Sequence, residues 1–278
     1  MGIGVTGSSG FLGKALVEAL GKSSLNVAPI SLPRTSEALQ SDYLENLAGE
    51  LEVQAVFHLA AVRKPGNHHE FEVNARLPSK LAKAFEKMNP KVQFFHLSSL
   101  NAVLSERRDA YSRSKRQAET LLENSNVTLI RPGIIWSWSS NSGGDAKRLR
   151  KYLELPLPFH PIPFPGQLYR PILVEDLVDR MVNLLEENPL PGTIDVQGDQ
   201  DTTIWELAKC IAKETRSRLV PVPTFFWEKL LPNRLLKHFP VALRSSDASK
   251  PDKNMGKVAD EVWEFPFHLS SKKNDWTR

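Results

Sequence analysis

Short apolar runs and segments of helical periodicity alternate along the amino-terminal half of the chain. The apolar runs, rich in β-branched and aromatic residues, cover residues 3–6, 26–31, 54–60, 92–99 and 127–132. Helical patterns cover residues 10–20, 71–88 and 111–124. Because the runs are apolar at consecutive positions, they are typical of strands that are covered on both faces. Strands joined through helices of this length predict an α/β fold built on a doubly wound parallel sheet.

After Pro132 the pattern becomes less regular. Residues 136–145 are loop-like, and residues 153–166 contain too many prolines for a helix and are predicted to be extended. Regular patterns then return, and they predict helices over 172–187 and 202–214 and a strand over 192–198. We therefore expect a smaller lobe from residue 134 onward, with parts that could return to the main sheet.

The composition is that of an ordinary globular protein. The 278 residues are 41% hydrophobic and 24% charged, enough to bury a large core. The net charge of +4 is spread along the chain without a long block of one sign, which favours anionic ligands mildly. Proteins that bind nucleic acids usually cluster their basic residues, so we expect no nucleic-acid partner.

Two further features bear on location. Cys210 is the only cysteine, so no intramolecular disulfide can form and a reducing compartment such as the cytoplasm is expected. The stretch MGIGVTGSSG lacks the basic and apolar regions of a signal peptide, and no apolar run approaches the ~18 residues of a membrane helix. We therefore expect a cytoplasmic protein without a membrane partner.

A glycine-rich stretch, TGSSGFLG, follows the first predicted strand and opens the first predicted helix. Gly7 permits a tight turn, and Gly10 lets the backbone approach a pyrophosphate. Gly13 lets the helix pack closely on the strand, and the amino terminus of the helix directs NH groups at the phosphates. At the first strand-to-helix turn of an α/β chain, this pattern predicts a dinucleotide-binding site.

A tyrosine and a lysine lie four residues apart in the stretch DAYSRSK. This spacing is common by chance, but Tyr111 and Lys115 share a helix face with the apolar Ala118 and Leu122. A lysine on a core-facing stripe needs a partner for its charge. Either the lysine extends its amino group to solvent or pairs with Glu119, in the weaker order of charges along a helix, or it stabilises the phenolate of Tyr111. In the last case the pair can act as an acid and base near neutral pH.

Together these motifs resemble the extended short-chain dehydrogenase/reductase family, a group of nucleotide-sugar epimerases, dehydratases and 4-keto reductases. TGSSGFLG, HLAA, HLSSL and the Tyr–Lys pair carry the resemblance, which covers most of the chain. It implies that Ser99, Tyr111 and Lys115 are the catalytic residues. It also implies a dinucleotide-binding Rossmann domain at residues 1–133 and a mainly substrate-binding lobe at residues 134–278.

The resemblance further implies which residues hold the dinucleotide. They are the glycines with their neighbours, the end of the second strand, the small residues of HLAA, the catalytic pair and one proline: Gly7, Ser9, Gly10, Phe11, Leu12, Gly13, Ser31, Arg34, Leu59, Ala60, Ala61, Tyr111, Lys115 and Pro132. In the family an acidic residue at the end of the second strand binds the adenosine ribose and favours NAD. Ser31 stands there instead and Arg34 follows, a pair that accepts a 2′-phosphate. We therefore predict NADP, with NAD as the alternative.

Fewer residues point to the substrate. The dehydratases of the family carry an acidic pair after the catalytic hydroxyl residue; Leu100 and Asn101 stand there, so dehydration is not expected. Ser99 and Asn101 are the expected substrate contacts, with Arg170 in a segment whose arginine binds the substrate phosphate in nucleotide-sugar enzymes. Ile134 stands where many of those enzymes have an asparagine, and the loop after Ser99 is short. The resemblance therefore leaves the substrate open.

Four functions are compatible with these residues. The first is an NAD(P)-dependent reductase or dehydrogenase acting on a sugar carbon of a nucleotide-sugar, with Tyr111 as acid and base. The second is a UDP-hexose 4-epimerase that retains NAD, the third a reductase of a non-sugar ketone, and the fourth a cofactor-sensing regulator. We expect a homodimer formed through helices that flank the sheet, including the helix of Tyr111. We expect no metal, since His68 and His69 lack partners at ligand spacing.

Overall fold

A computed structural model gives the fold of most of the chain. It describes residues 2–23, 25–33, 36–104, 108–139, 144–164, 168–187, 192–223 and 260–267. Arg34, one of the predicted cofactor residues, lies outside the described residues.

The described strands and helices alternate through the first half of the chain, as the pattern predicted. The strands are β1 (Gly2–Thr6), β2 (Asn26–Ile30), β3 (Val53–His58), β4 (Gln93–Leu97), β5 (Val127–Pro132), β6 (Ile135–Trp136), β7 (His160–Phe164), β8 (Leu168–Tyr169), β9 (Ile172–Leu173), β10 (Thr193–Gly198), β11 (Thr202–Thr203), β12 (Leu219–Pro223) and β13 (Glu261–Phe265). The helices are α1 (Phe11–Lys22), α2 (Ser41–Gly49), α3 (His68–Met88), α4 (Ala110–Leu122), α5 (Gly144–Leu153), α6 (Val174–Glu187) and α7 (Ile204–Thr215).

Seven of these strands form the main sheet, in the order β13, β10, β5, β4, β3, β1, β2. The pairs from β10 through β2 are all parallel. The order of connection reverses between β1 and β3, and ligands of such sheets bind at the carboxyl ends of the strands beside this reversal. The predicted fold class, a Rossmann-type doubly wound parallel sheet, is confirmed.

Helices cover this sheet in two packed groups. Helix α1 contacts α6, whereas α3 contacts both α2 and α4. The strands between them are apolar on both faces: Ile3 and Val5 of β1, for example, are fully buried. The face of α3 that carries Leu77, Leu81 and Phe85 is buried in a shared apolar cluster with residues of β3 and β4. This covering explains why the strands lack the alternation of an exposed sheet.

The chain divides into two compact units. Within the described residues, the first contains 2–133, 174–196 and 260–263, and the second contains 134–173, 197–223 and 264–267. Helix α6 and most of β10 therefore belong to the first unit, together with the sheet that they complete. The second unit has its own core, in which α5 and α7 pack around buried residues such as Trp136 and Leu149.

The sequence pattern missed several elements. Helices α2 and α5 were not predicted. The helices predicted over 172–187 and 202–214 begin two residues later than predicted, at Val174 and Ile204, after the short strands β9 and β11. Helix α7 begins after Thr203, whose hydroxyl accepts from the backbone N–H of Glu206 while that glutamate accepts from the backbone N–H of Thr203. This reciprocal cap fixes the start of the helix. No helix in the described part of the chain is both long and apolar enough to cross a membrane.

Candidate active site

The turn between β1 and α1 has the conformation that its glycines predict. Gly7 has a φ of +69°, and its carbonyl accepts from the N–H of Gly10 at 2.9 Å. A Cβ at Gly7 would lie only 2.8 Å from the backbone nitrogen of Ala60, and one at Gly13 only 2.1 Å from the carbonyl oxygen of Gly7. The turn, the HLAA segment and α1 can approach this closely only because these two positions lack side chains.

The amino terminus of α1 suits an anion. Gly10 is the N-cap residue, no side chain caps the first N–H groups, and the first turn contains no acidic residue. Ser9 and Gly10 are exposed, whereas Leu12 is buried in the core and Phe11 is partly buried. Uncapped N–H groups at the positive end of a helix favour a phosphate. The predicted pyrophosphate site therefore fits the residues that are present.

Thr6 fastens the end of β1 to the end of β3. Its hydroxyl oxygen accepts from the N–H groups of Leu59 and Ala60 at 3.1 and 3.2 Å. It also lies 2.8 Å from Nδ1 of His58, to which it can donate its hydrogen. Burial, and to a lesser extent the charge of Lys115, lower the pKa of His58 to about 3. His58 is therefore a neutral, hydrogen-bonded core residue that positions Leu59 and Ala60.

The remaining predicted cofactor residues lie at the carboxyl ends of β2, β3 and β5. Ala61 is exposed just beyond β3, and Ser31 is exposed directly after β2, so a substituent on the adenosine ribose could reach it. Pro132 is buried in β5 opposite Val196 of β10. These positions agree with the cofactor roles that the resemblance implies, which stay predictions.

Ser99 lies two residues after the end of β4 and is almost completely buried. Its hydroxyl accepts from the N–H of Asn101 at 3.2 Å and starts a short 3-10 turn. Arg116 of α4 donates to the carbonyls of Ala102 and Leu104, both at 2.8 Å. These bonds hold the loop that follows Ser99 against the helix that carries Tyr111.

Lys115 lies on the buried face of α4, as its position on the apolar stripe predicted. Its side chain is 2% exposed, and Nζ donates to the carbonyl oxygen of Leu97 at 2.6 Å. The start of the helix is fixed by Asp109, which accepts from both the N–H and the hydroxyl of Ser112. The structure thus brings the lysine to the strand end that carries Ser99, with Tyr111 one turn earlier on the same helix.

Burial and nearby charges set the protonation of this pair. Burial lowers the pKa of Lys115 to about 8, against the raising effect of the Glu119 carboxylate. Burial raises the pKa of Tyr111 above its ordinary value; the guanidinium of Arg63 opposes this effect and the Asp109 carboxylate adds to it. At neutral pH the tyrosine therefore carries its proton, and a cation lies one helical turn away.

Asn74, which contacts the helix of Tyr111, was not found from the sequence. Asn74 of α3 accepts from the N–H of Val62 and donates to its carbonyl, both at 2.8 Å. Its Nδ2 also lies 3.3 Å from the hydroxyl of Ser114, which donates to the carbonyl of Tyr111. Asn74 thereby ties the loop of Arg63 to α4. A polar residue on the buried face of a helix was the signal that could have identified it.

Arg170, the predicted phosphate ligand, belongs to the second unit. Its Nε lies 2.9 Å from Asp201 and its Nη1 2.8 Å from Glu264. Its charge is therefore balanced by two carboxylates within its own unit, and its role toward a phosphate stays a prediction. Among the described residues, no group of three or more His, Cys, Asp or Glu side chains is placed to hold a metal ion.

Several solved structures share this fold. A dTDP-4-dehydrorhamnose reductase from Clostridium acetobutylicum is 17% identical over 81% of this chain and 85% of its own, with a TM-score of 0.68. The same enzyme from Bacillus anthracis, in complex with NADP, is 20% identical over 81% and 85%, with a TM-score of 0.66. A UDP-glucose 4-epimerase from Thermus thermophilus, in complex with NAD, is 18% identical over 80% and 86%, with a TM-score of 0.64.

The sequence comparison identifies the family. No curated protein matches the sequence. The NAD dependent epimerase/dehydratase family matches residues 3–143, just over half of the chain. This range contains the glycine turn, the HLAA segment, Ser99 and the Tyr–Lys pair, the motifs on which the resemblance depended. The chain therefore belongs to the NAD-dependent epimerase/dehydratase family.

Proposed function

We propose that the protein is an NADP-dependent reductase or dehydrogenase that acts on a sugar carbon of a nucleotide-sugar, of the 4-keto reductase type. The observation that carries the proposal is the buried Lys115, hydrogen-bonded to the strand end before Ser99 and one turn from Tyr111. A lysine is costly to bury, and this arrangement gives its charge a chemical use.

In the proposed reaction, the hydroxyl of Ser99 donates a hydrogen bond to the substrate carbonyl oxygen. Tyr111 donates its proton to that oxygen, and the ammonium of Lys115 stabilises the phenolate that is left. NADPH, when bound, supplies the hydride. Because burial keeps Tyr111 protonated at neutral pH, the site suits proton donation to a carbonyl, and hence reduction.

Residues of the first unit account for the proposed cofactor. The Gly7 turn and the uncapped start of α1 would hold the pyrophosphate. Ser31, exposed after β2, offers a hydroxyl where an acidic residue would repel a 2′-phosphate. Ser31, with Arg34 three residues later in the sequence, is our reason for preferring NADP, and the NADP complex of the Bacillus anthracis reductase is consistent with it.

The main alternative is a 4-epimerase, because the same residues can move a hydride out and back. The similarity of the fold to that of an epimerase in complex with NAD is consistent with this second function. The two functions differ in their need for coenzyme: a reductase consumes one NADPH per turnover, whereas an epimerase works with the NAD that it retains. We also propose a homodimer, on the resemblance alone, and a cytoplasmic location, because Cys210 is the only cysteine.

A two-stage experiment tests the proposal. First, thermal unfolding is measured with NAD, NADP and UDP-, dTDP- and GDP-linked sugars, because a ligand that binds the native state raises the melting temperature. We expect NADP and one class of nucleotide-sugar to raise it. Second, NADPH oxidation is followed with the 4-keto form of that sugar. Interconversion of UDP-hexoses without added coenzyme, by protein that retains NAD, would contradict the proposal.

A further inference from the structure

Four side chains of alternating charge form a series that begins at Lys115 on α4 and ends at Asp195 on β10. Glu119 lies one turn beyond Lys115 on α4, where side chains four residues apart are neighbours. Arg131 of β5 donates from Nε and Nη2 to the two oxygens of Glu119, at 3.0 and 2.7 Å. Asp195 of β10 lies 3.6 Å from Nη1 of Arg131. Lysine, glutamate, arginine and aspartate thus follow one another from α4 through β5 to β10.

This line is buried where it passes through the core. The side chain of Arg131 is 2% exposed and that of Glu119 is 10% exposed. Burial works against the charge of Arg131, but the hydrogen bond and charge of Glu119, together with Asp195, raise its pKa. In the bidentate pair, Glu119 and Arg131 compensate each other's charge in a place where single charges are not tolerated.

Glu119 is also bonded to the strand that leads to the catalytic serine. The hydroxyl of Ser98 donates to Oε1 of Glu119 at 2.5 Å, and the N–H of Ser98 donates to the carbonyl of Ile130 at 2.7 Å. Ser98 directly precedes Ser99. One carboxylate therefore connects the end of β4, the middle of α4 and the guanidinium of β5.

The other groups around Lys115 cannot balance its charge. His58 of β3 and His96 of β4 are both buried, and their rings stack with centroids 5.3 Å apart. Burial and the charge of Lys115 lower the pKa of both, so they are neutral. On its own helix, Tyr111 is protonated, and α3 contributes the neutral Asn74 nearby. Among the described residues, Glu119 is the carboxylate that raises the pKa of Lys115.

We propose that Glu119 is a positioning residue of the proposed reaction: held by Arg131 and Ser98, its carboxylate keeps Lys115 cationic and fixes the strand end of Ser99 to α4. The catalytic part of this statement depends on the proposed function, whereas the electrostatic part concerns the protein alone. The hydrogen bonds from Arg131 and Ser98 hold the carboxylate of Glu119 in one orientation. Lys115 donates instead to the carbonyl oxygen of Leu97. The carboxylate of Glu119 therefore acts on Lys115 through its charge and not through a direct ion pair.

The test measures the titration of Lys115 directly. Protein labelled with 13C at the lysine ε-carbons is titrated by NMR, and the Lys115 signal is identified by its absence from Lys115→Met. In Glu119→Gln, which keeps the shape and one acceptor oxygen, we expect the pKa of Lys115 to fall, so that its deprotonated fraction at pH 7 rises several-fold. Glu123→Gln, an exposed change one turn further on, is the matched control and should leave the titration unchanged.

An unchanged titration of Lys115 in Glu119→Gln would overturn the proposal. If that variant does not fold because Arg131 is left unpaired, the double variant Glu119→Gln with Arg131→Gln removes both charges. The nearer charge has the larger effect, so the pKa of Lys115 should still fall, and an equal or higher value would also overturn the proposal.

The readout is separate from catalysis. It needs neither cofactor nor substrate, so a failure to find NADPH-dependent reduction would contradict the proposed function and leave the titration result intact. If reduction is found, the pH profile of kcat for Glu119→Gln should shift in the same direction as the titration of Lys115. A uniform loss of kcat without a shifted profile would indicate only a structural role and would overturn the proposal.

Discussion

Burial and the charge of Arg63 have opposite effects on the pKa of the Tyr111 phenol. Burial holds the proton on the oxygen, whereas Arg63 favours the phenolate and Lys115 is placed one turn away on the same helix. Tyr111 thus keeps its proton at neutral pH, and cations lie near the phenolate that would form if the proton left. This balance suits a group that must give up a proton in one step and regain it afterwards.

Replacing Tyr111 by phenylalanine should therefore separate binding from chemistry. We expect NADP to raise the melting temperature of the variant as it does for the parent protein, while kcat falls about 100-fold or more because the proton donor is missing. Tyr43→Phe on α2 removes the same hydroxyl elsewhere and serves as the control. A variant with undiminished kcat would show that another group supplies the proton.

Ser31 is the residue at which coenzyme choice can be tested. Because it is exposed after β2, Ser31→Asp places a carboxylate there without disturbing the core. Repulsion of the 2′-phosphate should lower the affinity for NADP relative to NAD about tenfold or more, which corresponds to about 1.4 kcal/mol. Fluorescence titration with NADPH and NADH measures this ratio. Ser23→Asp, exposed after α1, adds the same charge elsewhere, and an equal change there would contradict a specific contact.

Among the elements, β1 and α1 meet at a tightly packed turn. A methyl group at Gly13 would meet the carbonyl oxygen of Gly7 at 2.1 Å, whereas one at Gly21 on the same helix has no atom within 4 Å. Gly13→Ala should lower the free energy of unfolding by about 1–3 kcal/mol or more and weaken NADP binding. Gly21→Ala should leave binding unchanged and raise stability by up to about 1 kcal/mol. Urea unfolding of both variants checks the pair.

The sequence predicted most of the first-unit elements because their periodicity is strong and their glycine turn is unambiguous. It missed α2 and α5, which are short and whose starts lack a strong capping signal. The sequence predicted Ser99 after a strand and Tyr111 and Lys115 on the next helix. The hydrogen bond from Lys115 to Leu97 joins that helix, α4, to the end of β4.

The residues that hold the candidate catalytic residues in place could not be predicted from the sequence. Asn74, Arg116 and the Arg131–Glu119 pair act through contacts between residues far apart in the chain. No spacing rule connects such residues, since their proximity depends on how the helices pack on the sheet. For Arg170 the sequence suggested a phosphate ligand but did not indicate its partners in the fold, the carboxylates of Asp201 and Glu264.

For the molecule as a whole, buried histidines should make stability depend on pH. The pKa of His58 is about 3 in the folded protein and near 6.5 when unfolded, so only the unfolded chain takes up the proton between these values. Its contribution is fully present above pH 6.5 and is lost as pH falls toward 3, at about 1.4 kcal/mol per pH unit. His58→Asn keeps an acceptor for Thr6 and should reduce this slope.

Urea unfolding between pH 7 and pH 4 measures the slope. His68→Asn, on the exposed first turn of α3, is the matched control. His96 is also buried with a lowered pKa, so some acid dependence should remain in the His58 variant. An identical slope in the parent protein and His58→Asn would exclude His58 as a source of acid sensitivity.

The expected homodimer is a further property of the whole molecule. Leu121 of α4 is 42% exposed, on a helix through which the resemblance implies dimerisation. Leu121→Glu should therefore shift the sedimentation coefficient from that of a dimer to that of a monomer, because a charge would be buried between the copies. Leu168→Glu in the second unit, also at an exposed leucine, should leave it unchanged. A monomeric parent protein would contradict the expectation at once.

The late position of β10 in the chain has a consequence for synthesis on the ribosome. β5 emerges early, but the strand that pairs with it on one side begins only at Thr193, after the first part of the second unit has been made. Until then the nascent sheet has an open edge, and Arg131 lacks Asp195. Open strand edges recruit other chains, so we expect the unfinished protein to depend on chaperones. A fragment that ends at residue 133 would keep that open edge permanently.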